Sequence, residues 1–86
     1  MKIYWNGNSK NIIGAKIRSL RKSQGLTQKQ VATQMQLAGW DMTELTVLRI
    51  ENGTRFVPDY EVKALAKLFG VSYAELLDAA DSEVTP

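Results

Sequence analysis

The chain has no cysteine, no histidine and only two prolines among 86 residues. Without cysteine there is no disulfide framework and no thiolate metal site, and a cytoplasmic protein is the natural expectation. The missing histidine removes the commonest general base and metal ligand. No apolar run approaches the roughly 20 residues needed to span a bilayer, and the opening MKIYWNGNS lacks the apolar stretch of a secretion signal. There is no glycine-rich phosphate loop, and the carboxylates are scattered singly. Serine, threonine and aspartate fall mainly at expected helix starts, where capping accounts for them without any nucleophile. An enzyme is therefore not expected, and no cofactor, metal, membrane or small-molecule ligand is implied.

What is present is a small, ordinary globular composition with an uneven distribution of charge. Residues 1–40 carry seven lysines and arginines and no acid, whereas residues 41–86 carry four basic and nine acidic residues, so a net charge of +2 hides halves of +7 and −5. A solvated basic face explains such a half, and so does a surface for phosphates. Charge alone does not separate them.

Hydrophobic spacing predicts five helices. The first runs over about 11–24, with Ile13, Ile17 and Leu20 on one face and Gly25-Leu26 as its stop. Thr27-Gln28-Lys29-Gln30 is a capping box opening the second, which buries Val31, Ala32 and Met35. Gly39 ends or loosens that helix, and Leu37–Met42 makes a long turn. The third spans about 43–52. Val57-Pro58 forces extended backbone, Asp59 is expected to cap a fourth helix over about 60–69, and Gly70 stops it. Ser72-Tyr73-Ala74-Glu75 opens a short fifth helix containing Leu76 and Leu77. The resulting layout is an N-terminal arm (1–10), a helical domain (11–79) and an acidic tail (80–86). MKIYWN reads as a stray strand or an arm, with Tyr4 and Trp5 patching a small core.

The third helix, TELTVLRIENG, divides its apolar residues between two faces. At about 100° per residue, Thr43, Val47, Ile50 and Glu51 share one stripe, and Leu45, Leu48, Arg49 and Asn52 share the opposite one. Each stripe has two aliphatic residues and one charge, so periodicity alone is a tie. Burying the second stripe carries Arg49 and Asn52 inward, and an unpaired buried charge is very costly.

The ordered set Ile17–Leu20–Arg21, Gly25-Leu26-Thr27-Gln28, Arg49-Ile50-Glu51-Asn52-Gly53 and Ala66–Gly70-Val71 with Leu76 resembles the lambda-repressor-like helix-turn-helix family, Xre/Cro type. The likeness covers about residues 11–77. It implies an all-α, compact five-helix DNA-binding domain, with the helix-turn-helix at helices 2 and 3. The chain departs from the family in its linkage between those helices, which is several residues longer, the excess lying around Gln36–Trp40; Trp40 could anchor that turn on the core. By resemblance Val47 and Ile50 point inward, and Arg21 is positioned to pair with Glu51 as a structural ion pair.

The same resemblance implies sequence-specific binding of double-stranded DNA by a transcriptional regulator, a repressor, with helix 3 in the major groove. Thr43, Glu44, Leu45 and Arg49 occupy base-reading positions, with Thr46 close by; Gln28, Asn52 and Arg55 are placed for phosphates. The side chains suit these roles. Arginine takes guanine bidentately, glutamate accepts from cytosine, and leucine packs on a thymine methyl. Each has a rival: Glu44 could close a capping box with Asp41, Arg55 could be merely solvated, and Gln28 could be plain helix surface. A homodimer on DNA is expected, joined through helix 5 with the tail or through the MKIYWN arm. The alternative function is a protein-interaction or antitoxin-like module on the same fold, since two leucines beside one arginine make an apolar face.

Overall fold

In the computed structural model, which describes residues 9–83, the chain forms five helices and, among the described residues, no strand. They are α1 (Gly14–Ser23), α2 (Gln28–Leu37), α3 (Glu44–Glu51), α4 (Asp59–Phe69) and α5 (Tyr73–Glu83). The MKIYWN segment, expected as a strand or arm, lies outside the described residues. None of these helices is long and apolar enough to cross a membrane.

Each helix offers one apolar stripe to a shared core. Ile17, Met35, Ile50, Leu65 and Leu76, one from each helix in turn, are all at most 1% exposed. Full burial of such a side chain is worth about 1.5–3 kcal/mol. α3 packs against α1 and α2, α4 against α2 and α5, and α5 returns to α1.

Local chemistry sets most of the helix ends. Thr27 and Gln30 exchange hydrogen bonds across the start of α2: the Gln30 N–H donates to Thr27 Oγ1 at 3.0 Å, and the Thr27 N–H donates to Gln30 Oε1 at 2.8 Å. Ser72 Oγ likewise accepts from the Glu75 N–H at 3.0 Å. At the end of α1 the Leu26 N–H returns to the Arg21 carbonyl at 3.0 Å, closing the helix through Gly25.

Three boundaries differ from the sequence expectation. α1 begins at Gly14 rather than at residue 11, because Asn11 stays outside the helix and its Oδ1 accepts from the N–H groups of Ile13 (3.2 Å) and Gly14 (2.7 Å). α4 begins at Asp59, so Asp59 is not its cap. Pro58, extended at φ −67° and ψ 159°, holds the capping position, and Asp59 Oδ1 accepts from the adjacent Tyr60 N–H at 2.8 Å. α5 is not short; its backbone continues to Glu83, into the segment expected as tail.

The long turn between α2 and α3 is ordered by its own contacts. Gly39 adopts φ +95°, which a side-chain-bearing residue rarely tolerates. That bend lets the Trp40 N–H reach the Met35 carbonyl at 2.9 Å. Trp40 packs against the core and stacks on Tyr60, with centroids 5.6 Å apart and planes 12° from parallel. Met42, only 1% exposed, fills the core behind it, and its carbonyl accepts from Gln36 Nε2 at 2.7 Å. The extra chain is thus taken up as a turn folded onto α2 and α4.

Gly14 fixes how closely α1 approaches α3. A Cβ there would collide with the Ile50 carbonyl oxygen and crowd that of Glu51. Asn11 reinforces the same junction, its Nδ2 donating to the carbonyls of Ile50 (3.1 Å) and Arg55 (2.9 Å).

Candidate nucleic-acid interface

The eight residues of α3 form the centre of the candidate site, and the helix is capped from within. Thr43 precedes the first turn in extended backbone and accepts from the Thr46 N–H, while Thr46 Oγ1 accepts from the Thr43 N–H, both at 3.2 Å. The two hydroxyls are 3.0 Å apart. The cap is therefore Thr43 with Thr46, not Asp41 with Glu44, and both threonine side chains already have local partners. Asp41 and Glu44 are exposed.

Packing orients α3 as the resemblance and the cost of burying Arg49 implied, where periodicity alone was tied. Val47 and Ile50 are each 1% exposed, whereas Leu45 and Leu48 are 49% and 41% exposed. Arg49 and Asn52 are exposed with them. Among the described residues the Arg49 side chain makes no hydrogen bond or ion pair. The helix presents Glu44, Leu45, Leu48 and Arg49 as one solvent-facing surface of two leucines between opposite charges.

Glu51, at the inner end of α3, joins three helices. Arg21 of α1 grips it through two hydrogen bonds, Nε to Oε2 at 2.6 Å and Nη2 to Oε1 at 3.1 Å. The Arg21 side chain is 12% exposed and that of Glu51 3%. Arg21 Nη1 also donates to the Leu26 carbonyl at 3.0 Å, bracing the α1–α2 turn. The Glu51 hydrogen bond holds the Arg21 guanidinium above its ordinary pKa range, with burial opposing and the carboxylate's charge adding to the rise. Gln28, in the first turn of α2, donates Nε2 to Glu51 Oε1 at 3.1 Å. One of its two amide hydrogens is thereby used. The candidate phosphate ligand and the candidate reading helix thus share a carboxylate.

The other two phosphate candidates sit differently. Asn52 is exposed, its Oδ1 accepting from the Thr54 hydroxyl (2.7 Å) and N–H (3.2 Å). Arg55, with its side chain 32% exposed, is held in a paired fork: Nη1 and Nη2 donate to Glu61 Oε1 (2.6 Å) and Oε2 (3.1 Å). That hydrogen bond, against the opposing effect of burial, keeps its pKa raised. Glu61, on α4, is buried apart from this contact.

Sequence reasoning missed several of these groups. Asn11, which clamps the end of α3, carries no signal beyond its place before an apolar run. The Arg55–Glu61 pair bridges a proline-containing bend, so no helical spacing announces it.

A family model described as "Helix-turn-helix domain" matches residues 12–80, most of the chain and all of the site. No curated protein and no solved structure matches the chain.

Proposed function

Because the chain belongs to the helix-turn-helix domain family, we propose that it binds double-stranded DNA sequence-specifically as a transcriptional repressor of the Xre/Cro, lambda-repressor-like type. α3 enters the major groove, and two copies read paired half-sites about 34–36 Å apart or a multiple of that spacing. The observation that carries this reading is the outward face of α3. Glu44, Leu45, Leu48 and Arg49 stand in solvent on a helix whose other face is locked to α1 and α2 through Val47, Ile50 and Glu51.

The roles follow from the chemistry of each group. Arg49 has the fork for guanine O6 and N7, Leu45 packs on a thymine methyl, and Glu44 accepts from cytosine N4. Thr43 and Thr46 lie at the same helix end, their hydroxyls shared between capping and the bases. Gln28, held by Glu51, offers its remaining amide hydrogen to a phosphate, beside the unpaired N–H groups of the first turn of α2. Asn52 and Arg55 approach the backbone just beyond α3. The basic first forty residues supply the salt-sensitive attraction.

Selection of bound sequences from a random duplex pool, followed by isotherms on single-base variants, tests this directly. Arg49→Ala should cost about 1–3 kcal/mol on the selected site and relax preference at one base pair. Equal loss on every sequence would remove Arg49 from base reading. A second reading is favoured by Leu37, 83% exposed at the end of α2 on the same motif as the two outward leucines: a protein-interaction or antitoxin-like module. Absence of a gel shift with any duplex at low salt would select it.

A further inference from the structure

α4 and the start of α5 border an open groove of about 690 Å³ that lies outside the proposed reading face. Its lining is mainly apolar: Val57 in the bend before α4, Tyr60 at the start of α4, Tyr73 and Leu77 on α5. Tyr60 and Tyr73 are 59% and 52% exposed, so two large aromatic rings leave most of their surface in water. Tyr60 is not free to fold away, because its ring is stacked on Trp40. Asp59 and Lys63 also line the groove. They stand one turn apart on α4, and neither forms an ion pair among the described residues.

We propose that this groove is where a second copy of the chain docks. The inference rests on the homodimer part of the proposed function and names its surface. A twofold axis sets a patch against itself, so the patch must be self-complementary. One acid and one base a turn apart on one helix meet that condition. With the two α4 helices antiparallel, Asp59 of each copy faces the partner's Lys63, and the aromatic rings fill the space between. A groove shaped for DNA would carry one sign of charge, and Asp59 disfavours phosphate here. Large exposed apolar residues rimmed by charge mark protein contacts. Seven of the described residues line the groove, against roughly 20–30 a side in a standard interface, which fits a weak dimer reinforced by neighbouring half-sites on DNA.

Charge exchange tests the geometry. The full chain is followed by sedimentation, free up to millimolar concentration and on the selected duplex, with Asp59→Lys, Lys63→Glu and the double variant. Each single reversal sets like charges against each other twice per dimer and should raise the dissociation constant on the order of tenfold. The double variant should recover wild-type association, and so should an equal mixture of the two single variants, whose heterodimer pairs opposite charges at both sites. Tyr73→Ser should weaken association without touching charge. A wild-type dimer indifferent to all four changes, or single variants that mixing does not rescue, would overturn the groove while leaving the homodimer standing. A wild-type chain monomeric throughout and bound one-to-one on its best duplex would overturn both.

Discussion

Removing Arg21 probes the junction on which the orientation of α3 depends. Arg21→Met keeps the aliphatic stem and deletes three hydrogen bonds, two to Glu51 and one to the Leu26 carbonyl. Glu51, 3% exposed at its side chain, then keeps only the Gln28 amide. A carboxylate left so poorly paired in a nearly dry site costs about 3 kcal/mol. Glu51→Leu should cost less, about 2 kcal/mol, because the guanidinium keeps the Leu26 carbonyl and lies closer to water. The double variant removes both charges and should fall well short of the sum, since a buried pair exchanged for apolar groups is often near neutral. The expected coupling is about 3 kcal/mol, which leaves the double variant less destabilised than Arg21→Met. In a domain of this length 1 kcal/mol moves the melting temperature by about 4–8 °C, so Arg21→Met should lose roughly 12–24 °C by circular dichroism. Urea titrations at one temperature check that the slope with denaturant is unchanged. Single losses below about 1 kcal/mol, or effects additive within about 0.5 kcal/mol, would refute the reasoning.

Gln28→Ala should weaken binding to selected and random duplexes by the same factor with an unchanged salt slope, because an uncharged hydrogen bond releases no counterion; a change in base preference would show that Gln28 acts through α3 instead. The same variant should lower stability in the absence of DNA by about 1 kcal/mol through the lost bond to Glu51, measured by urea titration. Gly14→Ala should destabilise by about 1–3 kcal/mol, opposite in sign to the helix propensity gain, because the added methyl meets the Ile50 and Glu51 carbonyls; a raised melting temperature would show that α1 can shift away from α3.

The helices and the motif were legible in the residues because their signals are local. Caps such as Thr27 with Gln30 and stops such as Gly25 act over three or four residues, and the apolar spacing of Ile13, Ile17, Val31 and Met35 already names much of the core. The family match covers residues 12–80, which include these caps, stops and apolar positions. Periodicity alone left the two stripes of α3 tied, since each held two aliphatic residues and one charge. The cost of burying Arg49 and the family resemblance pointed Val47 and Ile50 inward, and packing against α1 and α2 does bury them and leaves Leu45 and Leu48 in water. The sequence could not assign Asp59, whose neighbour Pro58 took the capping position. The remaining partners join residues distant in sequence: Gln28 to Glu51 across 23 positions, Asn11 to Arg55 across 44. Such pairs depend on how helices cross and how closely they approach. A side-chain polar group bonds to whatever the fold brings within about 3 Å of it, and only the tertiary structure sets that neighbour.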